Sequence, residues 1–161
     1  MGIKSNDSNQ EYYNFFGVSG KGAVTPAPPP FQATGGKTGT YTDPGGNWKF
    51  HAFTSPGTFV ATAGSSEVEY LVVGGGGGGA HEGSSRGGGG GAGGYRTNCP
   101  PTVAPGSHTT SEIINCTPGS YTVTVGDGGG PAPGPGDPGE DSVFGSPTQG
   151  FVITASTGGG G

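Results

Sequence analysis

Glu69-Tyr-Leu-Val-Val-Gly-Gly-Gly-Gly-Gly-Gly-Ala-His-Glu-Gly-Ser-Ser-Arg-Gly-Gly-Gly-Gly-Gly-Ala-Gly-Gly-Tyr95 decides how the rest of the chain is read. A short apolar strand pattern, Leu71-Val72-Val73, runs straight into the glycine block Gly74 to Gly79, and a second block follows from Gly87 to Gly91. A flexible linker of this composition is normally diluted with serine and flanked by polar residues. Here a buried-type strand delivers the chain into glycine, which reads as packing rather than spacing. Glycine can be ordered as an extended left-handed helix, three residues per turn with a rise of ~3.1 Å and no internal hydrogen bonds. Every N–H and C=O then points outward, and without side chains neighbouring coils can approach closely enough to bond one another. Ordering glycine costs ~1 to 2 kcal/mol per residue in backbone entropy, so such coils are expected to form only as a bundle. On this reading an interior glycine such as Gly76 should resist replacement by valine, whereas Gly83, in the connection between the blocks, should accept it.

Composition sets the outer bounds. Glycine supplies 40 of 161 residues and proline 15. Leu, Ile, Val and Phe together reach only about 15%, below what a hydrocarbon core usually needs. Charge is also low, with 6 basic and 11 acidic residues, and the 8 Phe, 6 Tyr and single Trp fall in strand-like patches, which argues for order. A single leucine and many prolines leave no room for a sizeable α-helix. The expected fold is all-β with glycine-rich coil: a small antiparallel sheet or sandwich leading into bundled polyglycine II helices. A net charge of -5 makes nucleic acid a poor partner, and no stretch approaches the ~18 apolar residues of a membrane span. Neither membrane insertion nor a secretion leader is expected.

Strand patterns begin at Trp48-Lys-Phe-His-Ala-Phe53 and continue through Thr58-Phe-Val-Ala-Thr62 and Glu67-Val-Glu-Tyr-Leu-Val-Val73. Trp48, Phe50 and Ala52 share one face at period two, Phe59 and Ala61 another, and Val68, Tyr70 and Val72 a third. These strands are expected to form one small sheet, packed on Tyr121-Thr-Val-Thr-Val125 and Phe151-Val-Ile-Thr-Ala155. Both of the later strands also run into glycine, at Gly126 and at Gly158 to Gly161, so strand followed by glycine run occurs three times. The expected layout is a β-layer from which glycine coils project side by side. Residues 37–161 form this β/glycine-rich domain, with a glycine hairpin over 74–94 and a Pro/Gly loop over 126–140, in which Pro131 to Pro138 is a stiff turn.

Residues 1–36 read as an N-terminal docking arm. Tyr12, Tyr13, Phe15 and Phe16 are its aromatic anchors, and Pro26-Ala-Pro-Pro-Pro30 is a stiff spacer. Cys99 and Cys116 flank a proline-rich loop, and two alternatives stand: a disulfide or a pair of buried thiols. Zinc would need further ligands that His51, His81 and His108 do not supply. Phosphate binding at the glycine blocks would need a helix directly after them, which His81-Glu-Gly-Ser-Ser-Arg86 cannot form. His81, Glu82, Ser84 and Ser85 include triad residue types without the rigid shell that nucleophilic catalysis requires. Asp137, Glu140 and Asp141 match no calcium repeat. No catalytic residue, cofactor or metal site is expected, and His81, Glu82 and Arg86 read as an exposed hairpin available for binding.

Beyond these readings, a series of motifs resembles a known family. Phe53-Thr-Ser-Pro-Gly-Thr-Phe59, Val68 to Gly79, Gly87 to Arg96, Thr117-Pro-Gly-Ser-Tyr-Thr-Val-Thr-Val-Gly126 and Asp141-Ser-Val-Phe-Gly145 look like the glycine-rich domain of tailed-phage structural proteins, tail fibres and adhesins included. The opening Met1-Gly-Ile-Lys-Ser-Asn-Asp7, with Tyr12-Tyr-Asn-Phe-Phe-Gly17, resembles the start of cyanophage virion proteins. A weaker similarity is to the glycine-rich ectodomain of anaplastic-lymphoma-kinase-type receptors. The phage resemblance implies a virion subunit of fibre or adhesin type, on tail or capsid. Its arm would dock on other virion proteins, its glycine module would face a host surface receptor, and the subunit would be a homo-oligomer, most simply a trimer. The alternative is an extracellular display module that is not part of a virion.

Overall fold

The computed structural model describes residues 27–44, 46–80, 87–98, 113–132 and 134–161. Its organising element is a five-stranded antiparallel sheet. In spatial order the sheet comprises β1 (Gln32–Thr34), β4 (Gly57–Ala63), β9 (Gly119–Thr124), β10 (Ser142–Ser146) and β11 (Phe151–Ala155). The alternation Phe59, Ala61 on β4 and Tyr121, Val123 on β9 turns one face inward, and Phe59 pairs with Tyr121 across the ladder. Phe59, Tyr121, Phe144 and Phe151 meet there with ring centroids 5.4 to 6.2 Å apart. Tyr121 is fully buried, and its hydroxyl is satisfied locally: it accepts from Thr117 N–H (2.9 Å) and donates to Thr117 O (2.8 Å). A core poor in aliphatic residues is thus centred on packed aromatic rings, one pair stacked and the others tilted or edge-to-face.

Two short antiparallel pairs pack on the same core. β5 (Ser66–Val68) pairs with β8 (Ile114–Cys116), and β6 (Leu71–Val73) pairs with β7 (Tyr95–Thr97). The sequence pattern presents Glu67 to Val73 as one strand, and here the structure differs. The strand breaks at Glu69-Tyr70 and changes partner, while Val68, Tyr70 and Val72 all remain turned toward the core. The break is held by Asn98, whose amide donates to Val68 O (2.9 Å) and accepts from Tyr70 N–H (2.8 Å), while the Thr97 hydroxyl donates to Tyr70 O (2.7 Å). Side chains thus stand in for the ladder bonds that the change of partner removes.

A second difference concerns Trp48-Lys-Phe-His-Ala52. This strand, β3 (Gly46–Ala52), does not join β4; it pairs over its whole length with β2 (Lys37–Asp43). The hairpin is inserted between β1 and β4, and Gly35 and Gly36 (φ 109° and 63°) allow the reversal that starts it. His51 and Lys49 lie on one face and tie it to the body: His51 Nδ1–H donates to Gly35 O (2.7 Å), Lys49 Nζ donates to Ala33 O (3.1 Å), and the His51 ring edge meets Phe59. The face shared by Trp48 and Phe50 lies on the side away from those ties, with Trp48 39% and Phe50 44% exposed. Gln32–Thr34, placed by sequence in the docking arm, is the edge strand of the main sheet.

Candidate functional site

Beyond the sheet the described residues form five extended coils, over 74–80, 87–94, 126–132, 136–140 and 156–161, called coils 1 to 5 in that order. They are joined by backbone bonds with a repeat of three. From coil 1 to coil 2, Gly74, Gly77 and Ala80 N–H donate to Gly94, Gly91 and Gly88 O (2.8, 2.8 and 2.9 Å). From coil 1 to coil 4, Gly75 and Gly78 N–H donate to Glu140 and Asp137 O, both at 2.8 Å. Coil 5 donates back, Gly158 N–H to Gly75 O (2.8 Å) and Gly161 N–H to Gly78 O (3.0 Å). Coil 3 reaches coil 1 through Gly129 N–H to Gly76 O (2.8 Å). This three-residue repeat is the signature of the polyglycine II helix.

The outer coils also bond one another, N–H to C=O: coil 2 to coil 5 (Gly91 to Gly159 and Gly94 to Ser156), coil 4 to coil 5 (Gly136 to Gly161 and Gly139 to Gly158), and coil 4 to coil 3 (Asp137 to Gly130 and Glu140 to Asp127). Coil 1 is therefore the axis, with coils 2, 5, 4 and 3 following one another around it. A helix with three residues per turn sends its N–H groups in three directions and its C=O groups in three others, which gives six neighbour positions. Four are occupied. The threefold repeat directs Gly76 and Gly79 N–H toward the fifth position and Gly74 and Gly77 C=O toward the sixth, and neither holds a described residue.

The bundle explains which glycines are needed. A Cβ on Gly74, Gly75, Gly77 or Gly78 would run into the backbone carbonyls of Ser156, Asp127, Gly159 and Gly130 respectively. On Gly76 it would have its nearest neighbour at 3.5 Å. The expectation that Gly76 is a sensitive site is therefore corrected: it lies on the open side, one residue from the most crowded positions. Coil 2 follows the same rule, since Gly87, Gly90 and Gly93 abut coil 1 at every third residue, whereas Gly89 has no atom within 4 Å. Ala92, on the Gly89 phase, is the one side chain in that coil before Tyr95.

Coil 4 was not legible as a coil. Pro131 to Pro138 reads as a stiff turn, but the turn is confined to the region of Gly134 (φ 99°), and Gly136-Asp-Pro-Gly-Glu140 is a full member of the bundle. Gly136 and Gly139 sit against the Gly78 and Gly75 carbonyls, while Asp137, Pro138 and Glu140 are exposed. The available signal was glycine at a spacing of three.

All five coils meet the sheet layer at one end: Gly74 follows β6, Gly94 precedes β7, Gly126 follows β9, Glu140 precedes β10 and Ser156 follows β11. Side chains cap two of these starts, Ser142 Oγ accepting from Gly126 N–H (2.9 Å) and Asp141 Oδ1 from Thr157 N–H (2.7 Å). The opposite end carries Ala80, Gly87, Ala132, Gly136 and Gly161, with Ala80 and Ala132 bridged in parallel. The segment holding His81, Glu82 and Arg86 connects at this far end; those three residues lie outside the described ones, as do Tyr12, Tyr13, Phe15, Phe16 and Cys99. Cys116 is a free thiol with no exposed surface, and burial pushes its pKa up against a hydrogen bond with Tyr121 that acts the other way.

A sheet capped on one side by a bundle of polyglycine II coils defines a β/polyglycine architecture. The glycine-rich domain family matches residues 53–161, and the chain belongs to that family. The match begins directly after β3, so the β2–β3 hairpin precedes the family module. The chain matches no curated protein and no solved structure. No described helix is long and apolar enough to cross a membrane.

Proposed function

We propose that the chain is a structural subunit of a phage virion, of fibre or adhesin type, held to the particle through its N-terminal arm and displaying the far end of the glycine bundle to a host surface. The observation that carries this reading is the polarity of the bundle. Five coils are fixed to a sheet at one end, and two chain connections, between coils 1 and 2 and between coils 3 and 4, lie at the other. A backbone-bonded rod makes few demands on the residues at its tip, so those can vary with the receptor while the rod holds them out from the sheet. Membership of the glycine-rich domain family and the motif series shared with tailed-phage proteins add support.

The subunit works as a homo-oligomer, most simply a trimer. Support comes from the two neighbour positions of coil 1 that no described residue fills, where backbone donors and acceptors are available to glycine coils of other copies. The reading is tested by truncation. Removing residues 1–26 leaves β1 in place, and the purified particle should then lack the chain while the isolated protein stays folded. Full incorporation of the truncated chain would overturn docking through the arm, and a chain absent from particles altogether would favour an extracellular display module.

A further inference from the structure

Coils 1 and 2 share an open side that differs from the rest of the bundle in two ways. Coil 2 is exposed along six consecutive residues, Gly87 to Ala92, and carries nothing there larger than the Ala92 methyl. The exposed positions of coils 3, 4 and 5 include Asp127, Pro138 and Thr157. No described backbone carbonyl accepts from the N–H of Gly89, Gly90, Ala92 or Gly93. The sixth neighbour position of coil 1, lined by Gly74 and Gly77 C=O, lies beside this coil, where a Cβ on Gly90 would meet the Gly77 carbonyl. The foot of the same side is apolar. Val73, which leads into coil 1, pairs with Tyr95, which leaves coil 2, and Leu71 lies two residues along the same ladder. Leu71 is 60% exposed, Val73 53% and Tyr95 38%, whereas Val125 and Ala155, which precede coils 3 and 5, are half-buried and buried. Bare backbone thus runs into exposed apolar side chains at coils 1 and 2 alone among the described coils.

We propose that coil 2 of a second copy occupies the sixth position, its outward N–H groups donating to Gly74 and Gly77 C=O, and that three copies close in this way around an axis parallel to the coils. The proposal rests on the homo-oligomer reading and gives it an interface and a symmetry; it does not rest on the virion assignment. Polarity selects the symmetry. Around a coil with three residues per turn, donor and acceptor directions alternate every ~60°. A twofold turn about the coil direction therefore sets donors of one copy against donors of the next, and acceptors against acceptors. A threefold turn sets donors against acceptors, so each copy donates to one neighbour and accepts from the other. One-way donation between parallel coils is already used within the chain, from Gly158 and Gly161 of coil 5 to Gly75 and Gly78 of coil 1. At the sheet end the same turn brings together Leu71, Val73 and Tyr95 of the three copies, which removes their apolar surface from water.

Sedimentation equilibrium of the full chain tests this, and the wild type should sediment as three chains. A Cβ on Gly89 has no atom within 4 Å, so Gly89→Lys is accommodated within one copy and obstructs only the contact between copies. It should sediment as one chain while its circular dichroism remains that of the folded protein. Leu71→Ser, at the apolar foot, should weaken association at least tenfold. Pro138→Lys, exposed on coil 4 and away from this side, should remain at three chains. Three chains in both the wild type and Gly89→Lys would overturn the coil 2 contact and leave the homo-oligomer standing. A wild type of two chains would overturn the threefold arrangement, and association unchanged by Leu71→Ser would overturn the part assigned to the foot. A wild type that stays single at every concentration would remove the homo-oligomer reading itself, and this proposal with it.

Discussion

A methyl group on Gly75 would drive into the Asp127 carbonyl, whereas on Gly76, one residue further on, it would have 3.5 Å of clearance. Gly75 donates to Glu140, and its Cβ would also press on Glu140 N, so Gly75→Ala must push coil 1 away from coils 3 and 4 and disturb the bond that Gly75 O accepts from Gly158. At ~1 kcal/mol per bond, with amides left unsatisfied besides, it should cost ~3 kcal/mol or more, and lower the melting temperature by ~10 °C. Gly76→Ala removes unfolded-state freedom without a clash and should be neutral or stabilising by ~0.4–1 kcal/mol. Thermal melts of the two variants side by side decide the matter; equal shifts would mean that the coil phase is wrong. Cys116 offers a second test at this scale. Its folded pKa is raised, so the unfolded chain releases the thiol proton first, and the associated stability is present below the unfolded value of ~8.5 and is lost as pH rises past it. Between pH 8 and 10.5 the wild type should lose more melting temperature than Cys116→Ala.

At the scale of elements, the switch of partner between β5 and β6 is held by the Asn98 amide together with the Thr97 hydroxyl. Asn98→Ala would leave Tyr70 N–H and Val68 C=O without their acceptor and donor, in a place where Tyr70 is buried. A loss of ~2–4 kcal/mol is expected from equilibrium denaturation, and Asn98→Asp should recover only the half in which the side chain accepts. Coil 4 shows how a coil with side chains enters the bundle. Only the face against coil 1 must be glycine, so Gly136 and Gly139 are enough and Asp137, Pro138 and Glu140 are carried outside. Replacing Pro138 with alanine should therefore shift the melt by less than ~1 kcal/mol, whereas Gly139→Ala, which meets the Gly75 carbonyl, should behave like Gly75→Ala.

For the whole molecule, the open flank of coil 1 links stability to assembly. Gly76→Lys places a charged side chain on the open flank of coil 1, so it should leave the monomer's melt nearly unchanged while lowering its sedimentation-derived mass to that of one chain. A wild type that already sediments as a monomer would dispose of the oligomer proposal, and a variant that remains assembled would place the contact elsewhere. The arm and the bundle end are separable in the same way: removal of residues 1–26 should not move the thermal transition, because Gln32–Thr34 keeps its pairing with β4.

Much of this architecture was legible in the residues. The lack of a sizeable α-helix among the described residues, the alternation that places Phe59 and Tyr121 inside, and the strand-to-glycine junctions at Gly74, Gly126 and Gly158 all follow from composition and period, which are local properties of the chain. What the residues could not show is which coil faces which. A glycine run has no side chain to mark its sides, so the phase that exposes Gly76 and crowds Gly75 exists only once four other coils surround the first. The same limit hid coil 4 behind its prolines, and it left the direction of the Trp48 and Phe50 face open. An alternating pattern says that two faces differ; only the choice of β2 over β4 as the partner of β3 decided which face met water.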